Sequence, residues 1–241
     1  MSSSSVWSTA PDVLSLQSGE VHVWRVDLEQ IDQVVNGFRG TLDPDELQRA
    51  NRFYFERHRR AFVVGRGFLR DVLGRYLKSQ PQELKFSYGA YGKPSLNGET
   101  RLRFNMSHSH DVGLLAITED RDLGVDVEHI RADFATEEIA RRFFSRCEVD
   151  AFNALAMEDQ VAAFFRCWTR KEAFIKATGR GLSQALDGFD VTLGPGVKAE
   201  LLRAEDDDAS RWSLCDIDVG EDYAAALAVE GAISKIRHFS A

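Results

Sequence analysis

The chain has 241 residues, 44% of them hydrophobic and 28% charged, which is typical of a globular protein able to bury a sizeable core. Its formal net charge of −8 argues against general nucleic-acid binding, because a duplex partner requires a basic surface. No apolar run reaches the roughly 18 residues that span a bilayer, and residues 1–10 lack a signal-peptide pattern, so we expect a cytoplasmic protein without membrane contact.

Cysteines and arginines are distributed in different ways along the chain. The three cysteines are widely spaced, without the pairing of a zinc or redox motif, and we expect reduced thiols. In contrast, eight arginines lie between Arg49 and Arg75, against only Glu56 and Asp71. That segment suits a polyanionic ligand. The serine run at residues 2–5 is interpreted as a flexible tail.

Hydrophobic periodicity and turn residues predict an alternation of strands and helices. In the first part of the chain we predict a strand at 21–26, helices at 44–57 and 59–77, and strands at 102–106 and 112–118, with a bend at 107–111. In the second part we predict a strand at 123–128, helices at 136–144, 148–155 and 159–178, and strands at 189–193, 211–216 and 224–230. Gly179 and Gly181 end the longest helix. The pattern indicates an α+β protein with two similar halves.

Two acidic residues share one face of the predicted strand at 123–128. Side chains alternate along a strand, so Val125 and Val127 point to the core while Asp126 and Glu128 emerge together. Neighbouring carboxylates repel each other unless a cation intervenes, and oxygen ligands suit a hard ion such as Mg²⁺. An exposed edge strand with ordinary acids explains the same pattern.

A third acidic residue lies on the helix at 159–178. Trp168, Glu172 and Lys176 follow one another at i, i+4 steps on one stripe. An exposed Glu172–Lys176 ion pair is the simpler interpretation. The alternative is a metal-binding carboxylate beside a lysine that neutralises phosphate charge.

The segment Phe104-Asn105-Met106-Ser107-His108-Ser109-His110 ends a predicted strand in hydroxyls and imidazoles, which can donate hydrogen bonds to phosphate oxygens. A structural turn is an equal alternative. A Ser–His nucleophile is poorly supported because no Gly-x-Ser-x-Gly elbow occurs, and zinc binding by the two histidines lacks a further ligand.

Four motifs in register resemble those of the 4′-phosphopantetheinyl transferases of the surfactin-synthetase-activating type. They are Tyr91-Gly92-Lys93-Pro94, Phe104-Asn105-Met106-Ser107-His108-Ser109, Gly124-Val125-Asp126-Val127-Glu128, and Trp168-Thr169-Arg170-Lys171-Glu172-Ala173 with Lys176 and Gly179. The resemblance covers about residues 44–193 and implies the transferase fold: two pseudo-twofold α+β halves, here 1–118 and 119–241, with coenzyme A in the cleft between them. It also implies a monomer.

By the same resemblance, Asp126, Glu128 and Glu172 would hold Mg²⁺ on the coenzyme A diphosphate. Whether Mn²⁺ can replace it stays open. Lys176, and secondarily Lys171, would offset charge on that diphosphate. Glu172 would also accept the proton of the attacking serine, so Asp126, Glu172 and Lys176 are the predicted catalytic residues.

The remaining implied contacts are to the adenosine phosphates. Lys93, Ser107 and His108 would hold them, and Arg49 and Arg60 are the best candidates for the 3′-phosphate within the arginine-rich segment.

The implied reaction moves the 4′-phosphopantetheine arm from coenzyme A to a serine of an acyl or peptidyl carrier protein and releases adenosine 3′,5′-bisphosphate. Residues 141–148 offer basic and aromatic groups for docking an acidic carrier, although core burial of Phe143 and Phe144 is equally compatible. A non-catalytic coenzyme A-binding module and a metal-dependent diphosphate hydrolase are the competing functions.

Overall fold

The computed structural model describes residues 7–181 and 184–240, which form a mixed α+β structure. Its α-helices are α1 Asp32–Arg39, α2 Pro44–Asn51, α3 Glu56–Leu77, α4 Glu137–Phe143, α5 Arg146–Asn153 and α6 Met157–Thr178. Its strands are β1 Ser8–Thr9, β2 Glu20–Asp27, β3 Phe86–Tyr88, β4 Pro94–Leu96, β5 Leu102–Ser109, β6 Val112–Glu119, β7 Leu123–His129, β8 Phe189–Val191, β9 Leu201–Ala204, β10 Trp212–Asp216, β11 Tyr223–Glu230 and β12 Lys235–Ser240. The serine run at 2–5 lies outside the described residues.

The first half is a sheet covered on one face by a long helix. The sheet has the order β1-β12-β2-β6-β5, in which β2, β6 and β5 are antiparallel neighbours. The 22-residue α3 presents an apolar stripe, including Val64 and Phe68, to Trp24 and Phe104 of the sheet. Burial of this stripe, rather than intrinsic helix propensity, stabilises so long a helix.

The second half repeats this arrangement. Its sheet has the order β10-β11-β7, all antiparallel, and α6, also 22 residues long, covers one face. Gly179 ends α6 in a left-handed conformation, with φ at 67°, and its N–H donates to Ile175 O. The prediction of two similar α+β halves is confirmed.

The two halves join through a shared core and a strand edge. The faces of both sheets that point away from α3 and α6 pack together through Val23, Leu114, Val125 and Leu227. Beside this core, β5 runs next to β7, and Asn105 Oδ1 accepts a hydrogen bond from Val125 N at 2.9 Å. Side chains of β5 therefore contact β7 directly along the junction.

Two predicted elements differ clearly in the structure. The helix predicted at 44–57 ends at Asn51, because Glu46 on α2 is bound by the buried Arg70 of α3 at 2.7 Å and the chain must bend to bring the two helices together. The strand predicted to end at 106 continues to Ser109, and the bend lies at His110, whose φ is 54°. Helix α1 was not predicted.

Strand β12 also was not predicted, and it crosses between the halves. It pairs in parallel with β2, with Ile236 opposite Val21, so residues 235–240 complete the sheet of the first half. The division into 1–118 and 119–241 stays a prediction. In the structure, β12 lies in the second of these ranges but belongs to the sheet of the first half.

Two further structural findings concern the cysteines and the helices. All three cysteines are free thiols, with Cys167 buried. Within residues 7–181 and 184–240, no helix is both long and apolar enough to cross a membrane.

Candidate active site

Strand β7 carries two acidic side chains at the junction between the halves. Val125 and Val127 are fully buried in the shared core, while Asp126 and Glu128 point the other way, toward β5. The predicted alternation is confirmed. Asp126 is only 2% exposed, whereas Glu128 is half-buried.

Two serines of β5 hold these carboxylates. Ser107 Oγ donates to Asp126 Oδ1 at 2.8 Å, and Ser109 Oγ donates to Glu128 Oε2 at 2.8 Å. Ser109 Oγ also accepts a hydrogen bond from His129 N at 3.0 Å. The hydroxyls thus fix the orientation of both carboxylates.

Helix α6 brings Glu172 and Lys176 to the same place. Lys176 Nζ lies 2.6 Å from Asp126 Oδ1 and 2.8 Å from Ser107 Oγ. Burial, reinforced by the charges of Asp126 and Glu128, raises the pKa of Glu172. The Glu172–Lys176 pair is therefore part of a cluster with Asp126 and Glu128 and is not an isolated surface ion pair.

The cluster has an excess of negative charge. Burial raises the pKa of Asp126 and, together with the Asp126 charge, the pKa of Glu128, while Lys176 opposes both shifts. Asp126 Oδ2 is buried and has no hydrogen-bond partner among the described residues. An unpartnered buried oxygen beside two further carboxylates fits an oxygen-preferring divalent cation. In the described part of the chain, no three acidic, histidine or cysteine side chains already stand in a coordinating arrangement.

A cleft of about 280 Å³ opens beside the cluster, between a loop of the first half and the end of α6. Its walls include Tyr91 and Lys93 from the loop and Glu172 and Lys176 from the helix. Lys93 Nζ donates to Leu123 O at 3.0 Å and to Ala177 O at 2.9 Å. In this arrangement the Lys93 ammonium joins the loop to the second half, and burial lowers its pKa.

His108 and Arg49 lie on the first-half side of the cluster. Partial desolvation lowers the pKa of His108, and the positive charges of Lys176 and Arg49 lower it further. Arg49 is exposed, with its guanidinium carbon 5.2 Å from the Phe62 ring centroid. The structure therefore brings His108 close to the positive charges of Arg49 and Lys176, next to the carboxylates.

Two predicted residues lie elsewhere. Lys171 is fully buried on another face of α6, where its Nζ is 2.8 Å from Glu148 Oε2 and donates to Phe189 O at 2.6 Å. Arg60 is held by Asp32 Oδ1 and Gln30 O, both at 2.6 Å, in a separate groove. The structure brings neither of them to the carboxylate cluster.

Asn105 and Ser109 lie in one of the four motifs, but the sequence predicted no role for either of them. Both contact β7 directly, as described above. Residues 105, 107 and 109 alternate along β5 and share a face. Extending the strand predicted at 102–106 by three residues would have placed residues 107 and 109 on the same face as residue 105.

Comparison with known proteins identifies the family of the chain. Residues 122–228 match the model of the 4′-phosphopantetheinyl transferase superfamily, and residues 23–120 match that of the 4′-phosphopantetheinyl transferase N-terminal region. The chain is 41% identical over 228 residues to the 4′-phosphopantetheinyl transferase HetI of Nostoc sp., covering 93% of this chain and 94% of the relative. It is 32% identical to the 4′-phosphopantetheinyl transferase Sfp of Bacillus subtilis, covering 65% of this chain and 68% of that one. A solved holo-[acyl-carrier-protein] synthase of Thermotoga maritima aligns with a TM-score of 0.36 at 22% identity, over 46% of this chain and 63% of that one. With 41% identity over nearly its whole length, the chain belongs to the 4′-phosphopantetheinyl transferases.

Proposed function

We propose that the protein transfers 4′-phosphopantetheine from coenzyme A to a serine hydroxyl of an apo acyl or peptidyl carrier protein, and that adenosine 3′,5′-bisphosphate leaves. The observation that carries this proposal is the convergence of Asp126, Glu128, Glu172 and Lys176 beside a cleft lined by both halves. Family membership supports the reaction class.

Coenzyme A would lie in the cleft between the loop at 89–94 and α6. The exposed Arg49 and His108 would meet its phosphates, because both lie on the first-half side of the cluster. Ser107 would act through Asp126 and Lys176, since its hydroxyl donates to one and accepts from the other. Lys171 and Arg60 are left out of this arrangement because each is bound elsewhere.

Asp126, Glu128 and Glu172 would hold Mg²⁺, which would stabilise negative charge on the coenzyme A diphosphate as adenosine 3′,5′-bisphosphate leaves. Because all three side chains offer oxygen ligands, Mn²⁺ could take its place. Lys176 adds a positive charge next to the same oxygens. It forms an ion pair with Asp126 and would turn to the diphosphate in the complex with coenzyme A.

The serine hydroxyl needs a proton acceptor, and Glu172 is the best placed. The Glu172 carboxylate forms no hydrogen bond with a described residue, so its oxygens are free to accept a proton. Attack of the serine oxygen on the phosphorus would then be coupled to proton transfer to Glu172.

The decisive experiment is intact-mass analysis of apo carrier proteins incubated with this protein, coenzyme A and Mg²⁺. We expect the carrier to gain the mass of one phosphopantetheine, and we expect a chelator to prevent the gain and added Mg²⁺ to restore it. A carrier with its acceptor serine changed to alanine is the control.

The competing functions give different results in the same assay. Release of phosphopantetheine without a carrier would indicate a diphosphate hydrolase. Tight coenzyme A binding with no mass gain on fatty-acid, polyketide or peptide-synthetase carriers would indicate a binding module.

A further inference from the structure

A strip of aromatic and imidazole rings crosses the surface from the first half to the second. We call it the ring strip, and its members are Tyr54, Phe55, His58, His110, His129 and Tyr223. The rings contact one another in two groups: Tyr54–Phe55 at 5.0 Å and Phe55–His58 at 5.6 Å, then His110–His129 at 5.0 Å and His129–Tyr223 at 5.2 Å.

A groove joins the two groups of rings. His58 and His110 both line it, together with Leu28 and Ile31, and its volume is about 590 Å³. Large apolar side chains around the groove are open to solvent: Tyr54 is 92% exposed, Ile31 67% and Phe55 54%. A contiguous exposed apolar surface of this kind marks an interaction site on a globular protein.

The charge of the ring strip differs from that of the whole chain. The chain carries −8, but the segment at 57–60 is Arg-His-Arg-Arg. Arg59 pairs with Glu56 and Arg60 with Asp32, whereas Arg57 lies 5.9 Å from the Phe55 ring and pairs with no carboxylate in the described part of the chain. The groove is lined by Arg57 and Arg60 against Glu29, so an acidic partner would meet less repulsion here than over most of the molecule.

The ring strip also borders the reaction site. His110 follows Ser109, which donates to Glu128, and His129 follows Glu128 directly. A macromolecule that delivers a serine hydroxyl to the carboxylates therefore has to cover part of this surface. The cleft between the loop at 89–94 and α6 shares no lining residue with the groove, so coenzyme A and a partner have separate places.

The other candidate for partner docking, residues 141–148, is less available. Phe144 is buried, Phe143 packs against Trp168 with ring centroids 5.4 Å apart, and Arg141 pairs with Glu137. The aromatic rings of that segment thus stabilise the core of the second half.

We propose that the ring strip and its groove dock the acidic carrier domain, with an apolar side chain of the carrier in the groove and its acidic side chains against Arg57 and His58. This inference rests on the proposed function, and it names the surface that orients the acceptor serine toward Glu128 and Glu172. Apolar anchors inside a charged rim are typical of protein interfaces.

The test compares two double variants with the unmodified protein. Tyr54→Ser/Arg57→Glu changes the ring strip, and Leu202→Ser/Lys198→Glu is the matched control, since Leu202 is 59% exposed, the Lys198 side chain is 81% exposed, and both lie near β9. Each variant removes one exposed large side chain and reverses one positive charge.

With a carrier that the unmodified protein modifies, we expect the ring-strip variant to raise the KM for the carrier about tenfold and to leave kcat at saturating carrier unchanged. Calorimetry should give the same Kd for coenzyme A in all three proteins. The control variant should keep the unmodified KM. The single variant Arg57→Glu should weaken the dependence of the carrier KM on salt concentration.

Other outcomes are equally informative. An unchanged carrier KM in the ring-strip variant, or an equal rise in the control, overturns the docking surface. A parallel loss of coenzyme A affinity overturns it too, by assigning the ring strip to the coenzyme site. Absence of transfer by the unmodified protein refutes the proposed function and this inference with it.

Discussion

Lys171 and Lys176 lie on the same helix but have different environments. Five residues advance an α-helix by about 140°, so the two side chains point to different faces. Lys176 reaches Asp126 at the junction, while Lys171 turns into the second-half core toward Glu148, which is 2% exposed. Lys171 is therefore a structural residue in this fold, and Lys176 is the one available to phosphate.

A Lys171→Met variant should be much less stable than the unmodified protein. Removing one partner of a buried ion pair leaves an uncompensated charge and lowers the free energy of unfolding by about 3–5 kcal/mol. Urea unfolding at pH 7 measures this change. The double variant Lys171→Met/Glu148→Gln should recover part of the loss, whereas normal stability of the single variant would contradict the structural role.

A Glu172→Gln variant should lose transfer activity while keeping its fold. The substitution conserves volume, but an amide is a poor metal ligand and cannot accept the serine proton. We expect kcat to fall at least about a hundredfold, with an unchanged unfolding midpoint. Near-normal turnover in the intact-mass assay would remove Glu172 from both roles.

At the scale of elements, one glycine determines how closely α6 approaches β7. A Cβ atom built on Gly124 would lie 2.1 Å from Ala173 O and 2.4 Å from Ala177 N, so the helix backbone rests directly on the strand. This contact places Glu172 and Lys176 on α6 beside Asp126. The geometry of the carboxylate cluster thus depends on the absence of a side chain at residue 124.

We expect Gly124→Ala to push α6 away from β7. The free energy of unfolding should fall by about 3 kcal/mol or more, because a backbone clash cannot be relieved by a rotamer change, and transfer activity should fall as well. Chemical unfolding and the carrier assay measure both effects. Gly37→Ala is the control, since nothing lies within 4 Å of its added Cβ, and it should be neutral or slightly stabilising. Equal behaviour of the two variants would contradict the close packing.

Between α2 and α3, a buried polar network adds to the apolar packing of Ala50 and Leu47. Arg70 is fully buried and binds Glu46, Asp43 Oδ2, Pro81 O and Leu84 O. Glu46 also caps α2 by accepting from Asp43 N at 2.9 Å. These bonds orient α2 and therefore Arg49, which the same helix carries toward His108.

At the scale of the whole molecule, the halves are held by the shared core and by β12. A buried polar group lies close to that strand: His22 is 2% exposed and packs against Phe239 with ring centroids 5.2 Å apart. The Tyr76 hydroxyl accepts from Trp24 Nε1 at 3.1 Å, so its own hydrogen points to His22 Nδ1 at 2.5 Å. This arrangement favours a neutral imidazole that accepts at Nδ1 and carries its proton on Nε2, which lies 3.6 Å from Glu20 Oε2.

The contribution of His22 to stability should therefore decrease in mild acid. Burial lowers the pKa of His22, despite the opposing effect of Glu20, so the unfolded chain binds this proton more readily than the folded one. This contribution to the free energy of unfolding should fall as the pH drops through and below about 6.5, the ordinary value for histidine. His108 and His238, whose pKa values are also lowered, add in the same direction, whereas the raised pKa values of Glu128, Glu148 and Glu172 act in the opposite direction.

Urea unfolding between pH 5 and pH 8 tests this dependence. The His22→Asn variant, whose side-chain oxygen can still accept from Tyr76, should show a weaker loss of stability in acid than the unmodified protein. The same pH dependence in both proteins would contradict the assignment of a neutral His22.

Much of the fold could be predicted from local sequence patterns. The predicted strands at 21–26, 112–118 and 123–128 and the helix at 159–178 agree with β2, β6, β7 and α6 to within about two residues at each end. Periodicity over short stretches determines these elements. Strand β12 could not be predicted, because its polar Lys-Ile-Arg-His-Phe-Ser sequence becomes a strand only beside β2, which lies more than 200 residues earlier.

In the candidate site, too, some features follow from local sequence patterns and others from contacts between distant residues. The sequence by itself determined that Asp126 and Glu128 share one face of a strand, through alternation, and that Glu172 and Lys176 share one stripe of a helix, through their spacing. Only the tertiary structure decided that Lys171 and Arg60 are bound elsewhere, that Ser109 holds Glu128, and that the ring strip is exposed beside the site. Local periodicity specifies which side chains share a face. What each face meets depends on contacts between residues far apart in the chain, and these form only when the two halves pack together.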